Sequence, residues 1–247
     1  MRRKACLAER LSKFLSRKGV ASRRKTEAMI KNGLVKVNNQ NVLDPFYQVD
    51  PENDHVTIDN ISLSKGPDTK VYIALNKPVG YISDLADPKG RPIARDLIRM
   101  GTRLYPVGRL DFASEGLLFF TNDGGFADKV LHPRNQIERE YQVKVQKRLS
   151  PAEMQQLITG RRIDGLLYRL RSVKLLSLTS KNAWYTVTAT EGRNRMIRKL
   201  VDSLGHRVLR LRRARIGSVR LGKLRPGEYR HLTTTEIRKL LNKESLE

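Results

Sequence analysis

Apolar residues recur at helical intervals near the start of the chain, at Leu7, Leu11, Phe14 and Leu15. The spacing predicts a helix over 7–18 that stops at Gly19. Ser22 is a candidate N-cap for a second helix over 23–31, with Ala28, Met29 and Ile30 as its apolar patch and Gly33 closing it. LVKVNNQNVL then reads as a strand, an Asn-rich turn and a return strand, and HVTI as another short strand. The polar stretch SLSKGPDT at 62–69 has little to pack. It marks a linker between a first domain at 1–61 and a second at 70–247.

Beyond that linker, strands and helices alternate. VYIALNKP reads as a strand, PIARDLIRM as a helix, GLLFFTN as a wholly buried strand and GGFADKVLHP as a short helix. IEREYQVKV has period two, burying Ile137, Tyr141, Val143 and Val145 with looser phase near Arg139. PAEMQQLITG opens with Pro151 after the candidate cap Ser150, as a helix does. AWYTVTAT is a further strand, with Trp184 assigned to the core. RNRMIRKLVDSLG is a helix ending at Gly205, and TTEIRKLLNK at 234–243 a closing helix. The fold class expected is α+β: a small helix–helix–strand module followed by a domain on a mixed, largely antiparallel sheet.

Composition narrows the function. The 247 residues carry 49 Lys+Arg against 25 Asp+Glu, a net charge of +24. Cys6 is the one cysteine, which excludes an internal disulfide framework and a Cys-based zinc cluster. Four scattered histidines make no metal site, and His206 and His231 read as surface or RNA-proximal. No run approaches the roughly 18 apolar residues of a membrane span. The basic start MRRKACLAERLSKFL lacks the apolar region of a signal peptide, so a soluble cytoplasmic protein is expected.

The charge is concentrated in two blocks. Residues 1–36 hold 12 basic and 2 acidic side chains, a net +10, and residues 193–230 hold 13 and 2, a net +11. The intervening 37–192 is nearly neutral, with 21 against 18. Eleven of the 13 basic residues in the second block are arginine. Arginine offers a planar fork for phosphate and a face that stacks on bases, so a nucleic-acid partner is expected.

Candidate chemistry centres on VGRLDFASEGLLFFTNDG at 107–124. A loop containing Gly108 delivers Arg109, Leu110 and Asp111 just before a strand too apolar to be exposed. A carboxylate so placed is a nucleophile, a base or a structural anchor. An isolated R-x-D reads more simply as a local ion pair. A metal-dependent nuclease built on Asp111 with Asp123 or Asp128 lacks further ligands at metal spacing.

The match over the whole stretch is more specific. GRLDFASEGLLFFTNDG resembles the signature of pseudouridine synthases, in particular the RsuA/RluB/E/F type that modifies ribosomal RNA, and within it the RluB branch. ALNKPVGYISD at 74–84, EREYQVKV at 138–145 and EGRNRMIRKLVDSLGHRVLRLRRARIG at 191–217 resemble three further segments of that family, in the same order. Residues 10–55 resemble the S4-type RNA-binding module that commonly precedes its catalytic domain. The resemblance implies breakage of a uridine N1–C1′ bond, rotation of the base and rejoining through C5, without cofactor or metal. It implies Asp111 as the catalytic aspartate, acting on C1′ or toward a glycal, with Tyr141 stacked on the base and Arg198 paired with Asp111. Arg109 would enter the stack vacated by the flipped base. Arg193 and Arg195 would contact RNA beside it. In the S4-like module, Arg10, Lys13, Arg17, Arg23, Arg24 and Lys25 would grip RNA.

Two positions depart from the family pattern. Met196 stands where relatives often carry Gln or Glu, and Arg139 where many carry Lys. The partner expected is a ribosomal RNA stem-loop, more in keeping with large-subunit 23S RNA, either free or in an assembly intermediate, bound by a monomer. The alternative is a non-catalytic rRNA-binding ribosome-assembly factor using the same basic surfaces.

Overall fold

The computed structural model describes residues 8–59, 61–63 and 69–242, so Cys6, Leu7 and the middle of the 62–69 segment lie outside the described residues. The chain divides between Lys70 and Val71 into two units. The first contains β1 (Glu9–Arg10), α1 (Leu11–Arg17), α2 (Arg23–Lys31), β2 (Val35–Val37), β3 (Gln40–Asn41), β4 (Gln48–Val49), β5 (Val56–Ile58) and β6 (Ile61–Ser62). Leu11, Phe14 and Leu15 of α1 meet Ile30 of α2 and Val35, Val37 and Val56 of the sheet in one core. The first helix starts four residues later than its apolar spacing suggests, because Glu9 and Arg10 are extended and pair with Val49 and Gln48. Ser22 caps α2 by accepting from the Lys25 amide at 3.4 Å, but Thr26 and Ile30, not Ala28 or Met29, are its buried residues. Asn38 and Asn39, at φ of 51° and 67°, make the tight turn between β2 and β3.

The second unit begins with β7 (Tyr72–Lys77), β8 (Tyr105–Val107), β9 (Glu115–Thr121), α3 (Gly124–Leu131), β10 (Arg139–Val145) and α4 (Pro151–Thr159). A hairpin of β11 (Arg161–Ile163) and β12 (Leu166–Tyr168) leads to β13 (Ser172–Leu178), β14 (Ala183–Ala189) and α5 (Met196–Asp202). The chain continues through β15 (Val208–Ile216), β16 (Val219–Arg220), β17 (Tyr229–His231) and α6 (Thr234–Asn242). The main sheet runs β13-β14-β10-β15-β9-β7-β17, with β16 beside β15 and β8 beside β9. Its pairings are antiparallel except β9 with β15.

The apolar run of β9 follows from cover on both faces. Leu118 and Phe120 join a core with Tyr141, Val143, Tyr185 and Leu200, whereas Leu117 and Phe119 join another with Phe126, Val130 and Leu240. The parallel contact with β15 is equally demanding. A Cβ at Gly116 (φ +106°) would lie 2.3 Å from the Arg213 carbonyl oxygen, so this position requires glycine. The TNDG that ends the signature fixes the exit from β9. Asn122 accepts from the Val71 amide at 2.8 Å, and Asp123 caps α3 through the Gly125 and Phe126 amides while accepting from the Tyr72 hydroxyl at 2.8 Å.

Three elements differ from their sequence reading. PIARDLIRM forms only a 3₁₀ turn over Ala94–Leu97, because the Arg95 guanidinium takes the carbonyls of Ile98, Met100 and Thr102 and curls the chain. Trp184 is half-buried on the face opposite Tyr185, which holds the core position; Lys144 lies over its ring. The phase of β10 is unbroken at Arg139, which is buried with Tyr141, Val143 and Val145, while Ile137 lies before the strand and is partly buried. Arg139 is tolerated inside because its fork donates to the carbonyls of Val130, Ile137 and Thr190. Among the described residues no helix is long and apolar enough to cross a membrane.

Candidate active site

The loop between β8 and β9 is held by buried side chains from three other places. Gly108 starts it at φ +80°. Leu110 is buried, its amide donating to Ser83 Oγ at 3.0 Å and its carbonyl accepting from the same hydroxyl at 2.9 Å. Lys77, at the end of β7, is fully buried and donates to the carbonyls of Ser114 (2.7 Å) and Pro78 (2.8 Å). Arg198, on α5, donates to the carbonyls of Ala113 (3.0 Å) and Val208 (3.3 Å) and to Ser114 Oγ (3.3 Å).

Asp111 projects from this braced loop with its side chain 32% exposed. Its Oδ2 is 3.9 Å from Arg198 Nε and 4.0 Å from Arg195 NH1, outside hydrogen-bond distance. Arg198 Nε is buried and makes no hydrogen bond. Burial pushes the Arg198 guanidinium below the ordinary arginine pKa, Arg195 adds to that push, and Asp111 opposes it. Arg195 sits at the N-cap of α5 in left-handed conformation, φ 52°, uncommon for a residue with a side chain.

A cavity of about 730 Å³ opens over Asp111. Its buried lining includes Tyr141, Arg139, Ile197, Leu211 and Arg213, and its exposed lining includes Arg91, Arg109, Phe112, Arg193 and Arg195. Of the three carboxylates that line it, Glu191 pairs with Arg193 at 2.8 Å and Asp84 faces Arg109 at 3.7 Å. Arg193 also reaches the Leu167 carbonyl and lies over the Tyr168 ring. Asp111, Tyr141, Arg198, Arg109, Arg193 and Arg195 thus gather around one opening, Arg198 from behind the loop and the others on the cavity wall. Asp123 is committed to capping α3, and among the described residues no three His, Cys, Asp or Glu side chains group as metal ligands.

Several contributors have no role in the sequence reading. Lys77 lies within the NKP segment but carries no chemistry there. Arg213 alternates with apolar residues in LRLRRARIG, and its buried NH2 lacks a hydrogen-bond partner. Ser83 lies within the same ALNKPVGYISD segment as Lys77 but is given no role there. Met196 is buried in the core, so apolar packing replaces the polar contact expected of relatives with Gln or Glu. His206 is an internal link, its Nε2 2.8 Å from Glu153 on α4.

In the first unit, Arg10, Lys13, Arg23, Arg24 and Lys25 are exposed. Arg17 is not free for RNA in the same way. Its Nε donates to Glu9 at 2.9 Å and its guanidinium lies over Phe14.

The family model for RNA pseudouridylate synthases matches residues 71–203 and that for the S4 domain matches residues 9–56. The chain belongs to the RNA pseudouridylate synthase family. It is 38% identical over 236 residues to the ribosomal large subunit pseudouridine synthase B of Bacillus subtilis (strain 168), covering 94% of this chain and 95% of that one. An uncharacterized RNA pseudouridine synthase of Aquifex aeolicus (strain VF5) is also 38% identical, over 94% of this chain and 93% of its own. A crystal structure of a pseudouridylate synthase superposes with a TM-score of 0.64 at 26% identity, covering 94% of this chain and 99% of that one.

Burial pushes the Lys77 ammonium from 10.5 down to about 8, Asp111 pulls it back up, and Arg213 pushes it down again. Between those values the folded chain has released a proton that the unfolded chain retains, so rising pH favours folding. Urea unfolding is expected to show the unaltered protein gaining stability relative to Lys77→Met as pH climbs from about 8 to about 10.5. A pH-independent difference contradicts a buried, titrating Lys77.

Proposed function

We propose that this chain converts a uridine of ribosomal RNA, in the large-subunit 23S molecule, to pseudouridine in the cytoplasm. The observation that carries the reading is the cavity walled by Tyr141 and by an aspartate that Arg198 faces at 3.9 Å. The name of the Bacillus subtilis relative supports the large subunit as target. The RNA docks through residues 1–61, with Arg10, Lys13, Arg23, Arg24 and Lys25 as its phosphate contacts and Arg17 shaping α1. Residues 62–69 link this module to the catalytic domain at 70–247. A stem-loop, free or in an assembling subunit, presents the uridine to a single protomer.

The target base leaves its stack at a cost of a few kcal/mol, which Arg109 offsets by entering the gap. Arg193 and Arg195 steady the flanking backbone. Asp111 then acts on the ribose, by attack at C1′ or by removing a sugar proton toward a glycal, and the N1–C1′ bond breaks with its electrons passing to the uracil. Charge developing on the detached base lies near the buried cations Arg139 and Arg213, a fixed field that needs no reorganisation. Tyr141 holds the base by stacking while it turns to offer C5 to C1′. As the C5–C1′ bond forms, the Asp111–C1′ bond breaks or, on the glycal route, the sugar regains its proton. Loss of the C5 proton, assisted by the Tyr141 hydroxyl, and uptake of a proton at N1 complete the isomerisation.

The rival reading is an rRNA-binding assembly factor without chemistry. Pseudouridine mapping across both rRNAs separates the two. Cells lacking the protein are expected to lose the modification at one or a few large-subunit positions, regained with the unaltered protein and not with Asp111→Asn. Restoration by Asp111→Asn contradicts the enzymatic assignment.

RNA docking has its own test. Replacing Arg23 and Arg24 with glutamine is expected to reduce the slope of log affinity against log salt by about 2, with turnover at saturating RNA little changed. An unchanged slope shows that neither residue meets phosphate.

A further inference from the structure

We propose that Phe112 and Arg91 form a second nucleotide station at the mouth of the cavity, taking the RNA residue next to the flipped uridine: its base on the Phe112 ring, its phosphate at Arg91. The proposal rests on the reading above and adds the feature that recognises the uridine's neighbour.

Phe112 follows Asp111 directly and is 43% exposed. Its exposure is built in, because the Phe112 carbonyl accepts from the Gly80 amide at 2.9 Å and so anchors the backbone while the ring stays outside. The ring lines the cavity, and the Arg91 guanidinium carbon lies 5.7 Å from its centroid. That is a loose cation–aromatic contact, which leaves ring surface open to a base.

Arg91 is equally prearranged. Its Nε donates to Asp87 Oδ2 at 3.0 Å and its NH2 to Asp87 Oδ1 at 2.7 Å, while the Arg91 and Lys89 amides also donate to Asp87. One edge of the guanidinium is held by the carboxylate, and the side chain remains 43% exposed for an RNA phosphate.

The two residues come from different loops that are tied into one wall. Backbone bonds from Ile82 to Pro92 and from Ala94 to Ile82 close the loop carrying Arg91. Ser83 then ties that loop to Leu110 through both its donor and its acceptor. A base stacked on Phe112 is therefore registered against Asp111, one residue away. Extruding a uridine requires its neighbour to part from it, and a nearby aromatic surface gives that neighbour a new stacking partner.

Ribosomal RNA labelled with [5-³H]uridine, from cells lacking the protein, provides the test, used both as free RNA and as intact subunits. Isomerisation releases the C5 tritium, so kcat and KM are read directly for the full-length chain. Phe112→Ala and Phe112→Leu are each expected to raise KM about tenfold, the scale of one lost base–aromatic stack, with kcat within about twofold. Phe112→Tyr is expected to restore KM, and Arg91→Ala to raise it while flattening its salt dependence. Unchanged KM in Phe112→Ala, full function in Phe112→Leu, or a fall in kcat that Phe112→Tyr does not rescue each overturns the station. Failure of the unaltered protein to release tritium from either form instead overturns the underlying functional reading, and the station with it.

Discussion

The catalytic domain depends on a buried arginine that holds the loop of a partly exposed aspartate. Arg198 lies on α5, far along the chain from Asp111, and spends its donors on the Ala113 and Val208 carbonyls and the Ser114 hydroxyl. Its remaining Nε points toward Asp111 Oδ2 at 3.9 Å without a hydrogen bond. Burying a cation is costly unless its fork is nearly satisfied and an opposite charge stands close. Both conditions are met only when the loop occupies its observed position, so the loop and the arginine stabilise each other.

The sheet makes that arrangement possible. The parallel step between β9 and β15 brings Arg213 against Gly116, where no side chain fits. It also sets the loop before β9 close to α5, which precedes β15. Lys77 from β7 and Ser83 beyond it complete the bracing from the other side. Three basic side chains are consequently buried here, Arg139 and Arg213 in the cavity wall and Lys77 behind the loop, each held by backbone carbonyls instead of acids. In the proposed reaction this fixed positive charge meets the negative charge that develops on the base.

The two-block charge pattern was legible in the sequence, but its meaning changed in part. Among the described basic residues of the first block, Arg10, Lys13, Arg23, Arg24, Lys25 and Lys31 are exposed, whereas Arg17, Lys18 and Lys36 are partly buried, Arg17 being engaged by Glu9 and Phe14. Three arginines of the second are internal: Arg198 and Arg213 brace the site, and Arg215 is buried against Glu138 and Glu140. Period alone distinguished β10, and unbroken apolarity distinguished β9, because sheet burial writes those patterns directly. The short turn at Ala94–Leu97 was not legible, since a side chain capturing three carbonyls leaves no periodic trace. The alternation of Trp184 with Tyr185 was legible but not which of the two faces the core, because both residues suit either side of a half-covered strand; Tyr185 takes the core side. Ser83 and Lys77 act through contacts between distant segments, which local spacing does not encode.

The most direct test of this account is turnover of saturating rRNA by Arg198→Lys, measured beside its RNA affinity. Lysine keeps the charge but loses the fork that spans Ala113, Ser114 and Val208. Misplacing the loop by about an ångström is expected to lower kcat about a hundredfold, with RNA affinity unchanged. Retention of full kcat by Arg198→Lys would contradict the claim that this guanidinium positions the aspartate.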